Sequence, residues 1–180
     1  MIKNKLLRLI LSAFFLSLSY VMPFLTGQIP KIGSMLCPLH IPILLCGFVC
    51  GWPWGLVIGF IAPLLRSLTL GMPPLFPTSI SMAFELATYG FVAGMMYKYL
   101  PKKKVYIYLS LLVSMLLGRM VWGITMLVCT GIEENSFTFS VFLLEAFVNA
   151  IPGIIIQIIL IPAIIIVFEN WLLKSNLREK

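Results

Sequence analysis

The sequence predicts an all-α integral membrane protein, a bundle of six transmembrane helices with both termini in the cytoplasm. Three observations predict it. Of the 180 residues 61% are hydrophobic and only 11% charged, against roughly 25% charged in soluble chains. The apolar residues fall in runs separated by turn formers, and the basic residues gather on alternate connections. A mean hydropathy of +1.06 sets lipid as the solvent, and six spans leave no room in these residues for a catalytic domain outside the membrane.

The first span is expected over 6–24. It lacks a small-residue cleavage site and runs on into Tyr20–Phe24, so it reads as a retained helix and not a removed signal. A connection over 25–39 follows, with Gly27, Pro30, Gly33 and Pro38. The second segment, 40–50, is short: at 1.5 Å per residue it covers about 16 Å, so it either borrows turns from the flanking loop or is partly re-entrant. The third, 54–70, ends at the turn formers of Gly71–Pro77, which cannot continue a helix. The fourth, 78–99, closes on a basic stretch, and the fifth covers 105–130. The sixth, 139–173, is long enough for a kink at Pro152–Gly153 or at Pro162.

Threading these six with the N-terminus inside gives a charge count. Lys3, Lys5 and Arg8, then Lys98, Lys102, Lys103 and Lys104, then Lys174, Arg178 and Lys180 all fall on the cytoplasmic side, ten of the thirteen basic residues. The outside receives Lys31 with Glu133 and Glu134. This is the positive-inside pattern. It explains the net charge of +7 by orientation, so nucleic acid is not an expected partner. One histidine and no CxxC pair make a metal site unexpected, and no cofactor is implied.

Ionisable side chains in lipid cost at least about 2.5–3.5 kcal/mol each on insertion scales, so those inside spans need a reason. Away from the cytoplasmic ends of the spans they are Arg66, Glu85, Arg119 and Glu145. Arg66 lies near the outer end of the third helix and Glu85 about two turns into the fourth, which places them at one level. Asn149 and Gln157 continue down the sixth helix, and Glu145 and Asn149, four apart, share a face. Two readings stand. The four charges form two compensating ion pairs that lock helices together, or some of them line a polar pocket opening outward, with Tyr89 and Trp122 as aromatic walls. No catalytic arrangement of serine and histidine or of paired carboxylates stands out.

Small residues repeat at intervals of four: Ala13 and Ser17; Gly47, Gly51, Gly55 and Gly59; Gly90 and Gly94. Such spacing lets helix backbones approach closely, either within the chain or against a partner subunit.

The stretches His40-Ile-Pro-Ile-Leu-Leu-Cys-Gly-Phe48, Gly55-Leu-Val-Ile-Gly-Phe60, Pro63-Leu-Leu-Arg-Ser67 and Phe84-Glu-Leu-Ala-Thr-Tyr-Gly90 resemble the substrate-binding S components of energy-coupling factor (ECF) vitamin transporters. The likeness extends over the whole chain in length, in six-helix layout and in the basic loop between helices four and five. It implies a non-enzymatic subunit of an ECF-type importer in a bacterial plasma membrane. Such a subunit binds a vitamin or similar micronutrient from outside and docks on a shared transmembrane coupling subunit, itself joined to two cytoplasmic ATPase subunits. The chain carries no GxxxxGK[ST] loop, so ATP hydrolysis is expected in those partners.

The resemblance also implies where function sits. The ligand site uses the loop after the first helix and the outer parts of helices four to six, which here are 25–39, Glu85, Tyr89, Arg119, Trp122, Glu145 and Asn149. Arg66 or Arg119 is the candidate to hold a ligand carboxylate. The docking face uses an AxxxA spacing on the first helix, which this chain departs from with Ala13 and Ser17. The pattern looks most like members assigned to pantothenate, with folate, niacin, lipoate or a nucleobase-type precursor as the other candidates. A self-sufficient secondary transporter of a small organic solute is the alternative, although no convincing repeat relates the first and last three helices, as duplicated halves do in many such proteins.

Overall fold

Lipid offers no water to peptide groups, so the apolar runs must bond their own backbones as helices. In the computed structural model, which describes residues 4–26, 35–101, 103–131 and 142–178, these helices are α1 (Lys5–Val21), α2 (His40–Cys50), α3 (Trp52–Leu70), α4 (Ile80–Tyr99), α5 (Lys104–Thr130) and α6 (Ile151–Arg178). No strand occurs among the described residues. Most of the loop expected over 25–39, together with Lys31, Lys102, Glu133, Glu134 and Lys180, lies outside them.

Among the described residues, four helical stretches are long and apolar enough to cross a membrane by length and composition: Lys5–Phe24, Trp52–Leu70, Lys104–Thr130 and Ile151–Asn170. The first starts on Asn4, whose side chain accepts a hydrogen bond from the Leu6 N–H at 3.0 Å, satisfying one of the free donors of the first turn. It runs into a tight turn over Met22–Thr26.

The short α2 is different in kind. All eleven of its residues are buried, and it packs against α1, α3, α4 and α6. With every face covered, α2 is the core about which the longer helices gather. A single residue, Gly51, turns the chain from α2 into α3 at φ 100° and ψ 168°, a conformation that favours glycine.

The four-residue glycine spacing serves packing within the chain. A Cβ at Gly90 would lie 2.2 Å from the Gly55 carbonyl oxygen, and one at Gly47 or Gly55 would lie 2.6 Å from the Gly90 oxygen. Only glycine permits this approach, so the α2–α3 corner sits directly on α4. The central position of α4, against α2, α3 and α5, explains why it tolerates more polar residues than its neighbours.

Polarity is inverted relative to a soluble bundle. On α5 the exposed side chains include Val105, Leu109, Leu112, Leu116, Met120, Ile124 and Leu127, at steps of three and four, with Tyr108, Leu117 and Val128 beside them, while Ser110, Ser114 and Arg119 are buried. The outward stripe faces lipid, and the hydroxyls of Ser110 and Ser114 donate to the carbonyls of Tyr106 and Leu111, both at 2.7 Å.

The sixth segment breaks one turn before its expected kink. A wide turn over Leu144–Val148 closes with the Asn149 N–H donating to the Leu144 carbonyl at 2.8 Å, and α6 begins at Ile151. Pro152 falls in the first turn of α6, where its missing N–H costs nothing. Pro162 sits within the helix. At the far end of α4, about 18 Å along its axis from Glu85, the Tyr97 hydroxyl donates to the Glu169 carboxylate of α6. The Tyr97 ring there packs edge-on against Phe48 of α2, with centroids 5.3 Å apart.

Candidate functional site

Glu85 projects from α4 into the interior and is 1% exposed. One of its oxygens, Oε1, gathers three groups. It accepts a hydrogen bond from the Tyr89 hydroxyl, one turn along α4, at 3.1 Å. The Arg119 Nη1 of α5 pairs with it at 3.2 Å. His40 Nε2, at the start of α2, lies 3.4 Å away, without the alignment of a hydrogen bond. Arg119 reaches further, donating from Nη2 to the Cys37 Sγ at 3.4 Å. The His40 and Tyr89 rings tilt against each other with centroids 5.2 Å apart.

Local structure puts these groups together. Tyr89 lies across α5 at Gly118, where an added Cβ would sit 1.9 Å from the tyrosine ring. Cys37 adopts φ 48°, which a side-chain-bearing residue takes at a cost of roughly 1–2 kcal/mol. That turn brings the His40 N–H onto the Cys37 carbonyl at 3.1 Å and directs both side chains toward Glu85 and Arg119. A strained residue of this kind persists when its surroundings hold it, and here the Arg119 guanidinium does.

Of the residues singled out from the sequence, Glu85, Tyr89 and Arg119 meet in this cluster. Trp122, one turn beyond Arg119, stacks on Phe142 with centroids 6.2 Å apart. Phe147 meets Phe142 edge-on at 6.1 Å, so the break before α6 carries an aromatic wall beside the charged cluster. Asn149 is half-buried at the end of the wide turn, whereas Glu145 is exposed. The expected common face of Glu145 and Asn149 assumes an ordinary helical turn. The wider turn rotates Glu145 outward.

Arg66 stands apart, and the shared level expected for Arg66 and Glu85 is not found. Gly59 packs on the Leu86 carbonyl, where an added Cβ would lie 2.3 Å from the oxygen. Glu85 is therefore level with the middle of α3, and Arg66 lies about 10 Å further along that helix. Its Nη1 donates to the Tyr20 carbonyl at 2.9 Å, and its guanidinium sits 5.3 Å over the Phe24 ring. Tyr20 also donates through its hydroxyl to Thr69 Oγ1 at 3.1 Å. Arg66 thus caps the last turn of α1, where free carbonyls attract a cation. Two acid–base pairs do not form among these four residues. One does, between Glu85 and Arg119, and Arg66 is compensated by a carbonyl and a ring.

Ala13 and Ser17 lie on the exposed face of α1, with the Ser17 hydroxyl donating back to the Ala13 carbonyl at 3.0 Å. The neighbouring Ser12 and Ser19 point inward and are buried.

His40 and Cys37 were not among the residues expected from sequence. Their place depends on the turn between the loop and α2, and a lone histidine opening an apolar helix was the signal available. Among the described residues no three His, Cys, Asp or Glu side chains form a metal-holding group. The cluster presents a charge-compensated, hydrogen-bonding surface set among apolar helices, which suits recognition of a small polar molecule.

Comparison with curated proteins and with solved structures gave no match. Comparison with protein families matches residues 7–165 to the ECF transporter, substrate-specific component. The match spans most of the chain, including α1 through the greater part of α6, and it carries a transport role in the membrane with no enzymatic step. The chain belongs to the family of substrate-specific components of ECF transporters.

Proposed function

We propose that this chain captures a vitamin or related micronutrient from outside a bacterial cell and passes it inward through a shared transmembrane coupling subunit driven by two ATPase subunits. The observation that carries the reading is the buried cluster of Glu85, Arg119, His40 and Tyr89. Charged groups at membrane depth are expensive and mark sites of binding or transport. In this reading the chain crosses the membrane six times with both ends in the cytoplasm, as the distribution of Lys and Arg supports. Here α2 reaches across with the help of its flanking segments. The cluster forms the floor of the ligand site, and Trp122 and Asn149 form its wall. Arg66 and Glu145 stand nearer its rim. Pantothenate is the ligand that the sequence pattern favours.

The exposed Ala13 and Ser17 on α1 support a docking face for the coupling subunit, since small residues let a partner helix approach closely. Co-expression with an ECF coupling subunit and its two ATPases, followed by affinity purification and uptake in proteoliposomes, tests the proposal. The four proteins should co-purify, and uptake of radiolabelled pantothenate or another vitamin should require ATP. Uptake by this chain alone under an ion gradient would replace the proposal with a secondary transporter.

A further inference from the structure

Resting on the binding role above, we infer that the group of the ligand meeting this cluster is uncharged, an amide, lactam or similar edge that both donates and accepts hydrogen bonds. Two independent observations lead there.

The first is charge. Arg119 is 7% exposed and already holds the carboxylate of Glu85, itself 1% exposed, at 3.2 Å. The opposite charges of this pair cancel. A ligand carboxylate brought against Arg119 would compete with Glu85 and leave one negative charge without a partner in a poorly solvated interior. Such a burial is strongly unfavourable. A neutral group carries no such cost.

The second is the set of buried polar atoms that have no hydrogen-bonding partner among the described residues: His40 Nδ1 and Nε2, Arg119 Nε, and Gln157 Nε2 and Oε1. The guanidinium Nε offers a donor, and the glutamine amide two donors and an acceptor. Orphaned polar atoms of this kind cost about 1–3 kcal/mol each. Gln157, 1% exposed, is placed by α6 packing. Gly153, one turn earlier on the same face, lies so close to the Met35 and Leu36 carbonyls that an added Cβ would be 2.8 Å from each. Cys37, which follows Leu36, accepts from Arg119. Gln157 therefore lies on the face of α6 that packs against the segment leading into Cys37. A carboxylate, which only accepts, would satisfy the donors and face the acceptors unfavourably. A group with a donor and an acceptor side by side satisfies both. For pantothenate this means the amide and hydroxyl end at the cluster and the carboxylate away from it.

The test uses the purified protein in detergent. The small-molecule fraction of yeast extract is offered, the protein washed and denatured, and the released compounds identified by mass spectrometry. In parallel, nicotinamide and nicotinate, panthenol and pantothenate, and uracil and orotate are titrated as neutral and anionic partners. The expected result is a retained molecule that is neutral, or whose affinity survives amidation of its acidic group. In whichever pair binds, the neutral member should be at least as tight as the anion. A tenfold or greater preference for the anion, about 1.4 kcal/mol, overturns the inference while leaving the binding role intact. A protein that retains nothing and binds no pair overturns the binding role and the inference together.

Gln157→Leu supplies the second arm. It should weaken binding of the retained molecule at least tenfold while the unliganded protein melts at the same temperature or higher, because an orphaned amide has been removed. Unchanged affinity would overturn the assignment of Gln157. Gln157→Met, closer to glutamine in shape, serves if the leucine variant does not fold.

Discussion

Replacing Glu85 by glutamine isolates the energetic core of the molecule. The substitution keeps the shape of the side chain and its capacity to accept from Tyr89, yet it removes the only carboxylate that Arg119 meets within the described residues. Arg119, buried on α5, is then a cation without a counter-charge. Breaking a buried pair by removing one partner costs about 3–5 kcal/mol, and the surviving amide contacts place Glu85→Gln at the lower end, about 3 kcal/mol. For a chain of this length 1 kcal/mol moves the melting temperature by roughly 2–4 °C, which predicts a fall of about 6–12 °C. The double variant Glu85→Gln/Arg119→Met removes both charges and should recover to within about 1 kcal/mol of the parent. With Arg119→Met measured alone to complete the cycle, the coupling energy should be about 2 kcal/mol or more. The cysteines supply the assay: Cys37, Cys46, Cys50 and Cys129 are free and buried, so labelling by a thiol-reactive fluorophore during a thermal ramp in detergent reports unfolding. If the double variant melts as low as Glu85→Gln, the two residues do not compensate each other and the cluster has another basis.

Three further outcomes are expected. Gly90→Ala should destabilise the protein by about 1–3 kcal/mol, despite the better helix propensity of alanine, because its methyl group meets the Gly55 backbone and no flexible side chain can yield; an unchanged melting temperature would show that the α2–α3 corner is free to move. Arg66→Met should lower stability by about 1–2 kcal/mol through loss of the bond to the Tyr20 carbonyl, with ligand affinity changed less than about threefold, which is under 1 kcal/mol. A collapse of affinity in a stable variant would move Arg66 from the rim of the ligand site into direct contact with the ligand. Ala13→Leu, on the exposed face of α1, should leave binding by the isolated chain intact and impair transport by the assembled complex; loss of both together would remove α1 as a docking face.

Several features are legible in the sequence because they follow from solvent and local chemistry. Apolar runs in lipid must be helices, and the turn formers after Leu70 must end one. Glu85 and Arg119 stood out because an ionisable residue in such a run is costly whatever surrounds it. The glycine spacing signalled close backbone approach, although the partner was open, and the tertiary structure places it on α4. The shortness of the second segment was visible too, but not that α2 is buried on all sides, since apolarity on every face is shared by core helices and lipid-facing ones.

By itself, then, the sequence determined the membrane class, the helical runs and the presence of a polar interior built on α4 and α5. Tertiary structure decided which polar groups meet. The relative heights of residues on different helices depend on how two surfaces interlock, and the seating of Gly59 on Leu86 is what sends Arg66 to the end of α1 while Glu85 finds Arg119. The outward turn of Glu145 depends on a backbone ring one residue wider than an α-turn, which side-chain spacing alone does not reveal. His40 and Cys37 join the cluster through one left-handed residue whose conformation is stabilised by Arg119, eighty-two residues away in the chain. Interactions of that range are set by packing and not by any local pattern.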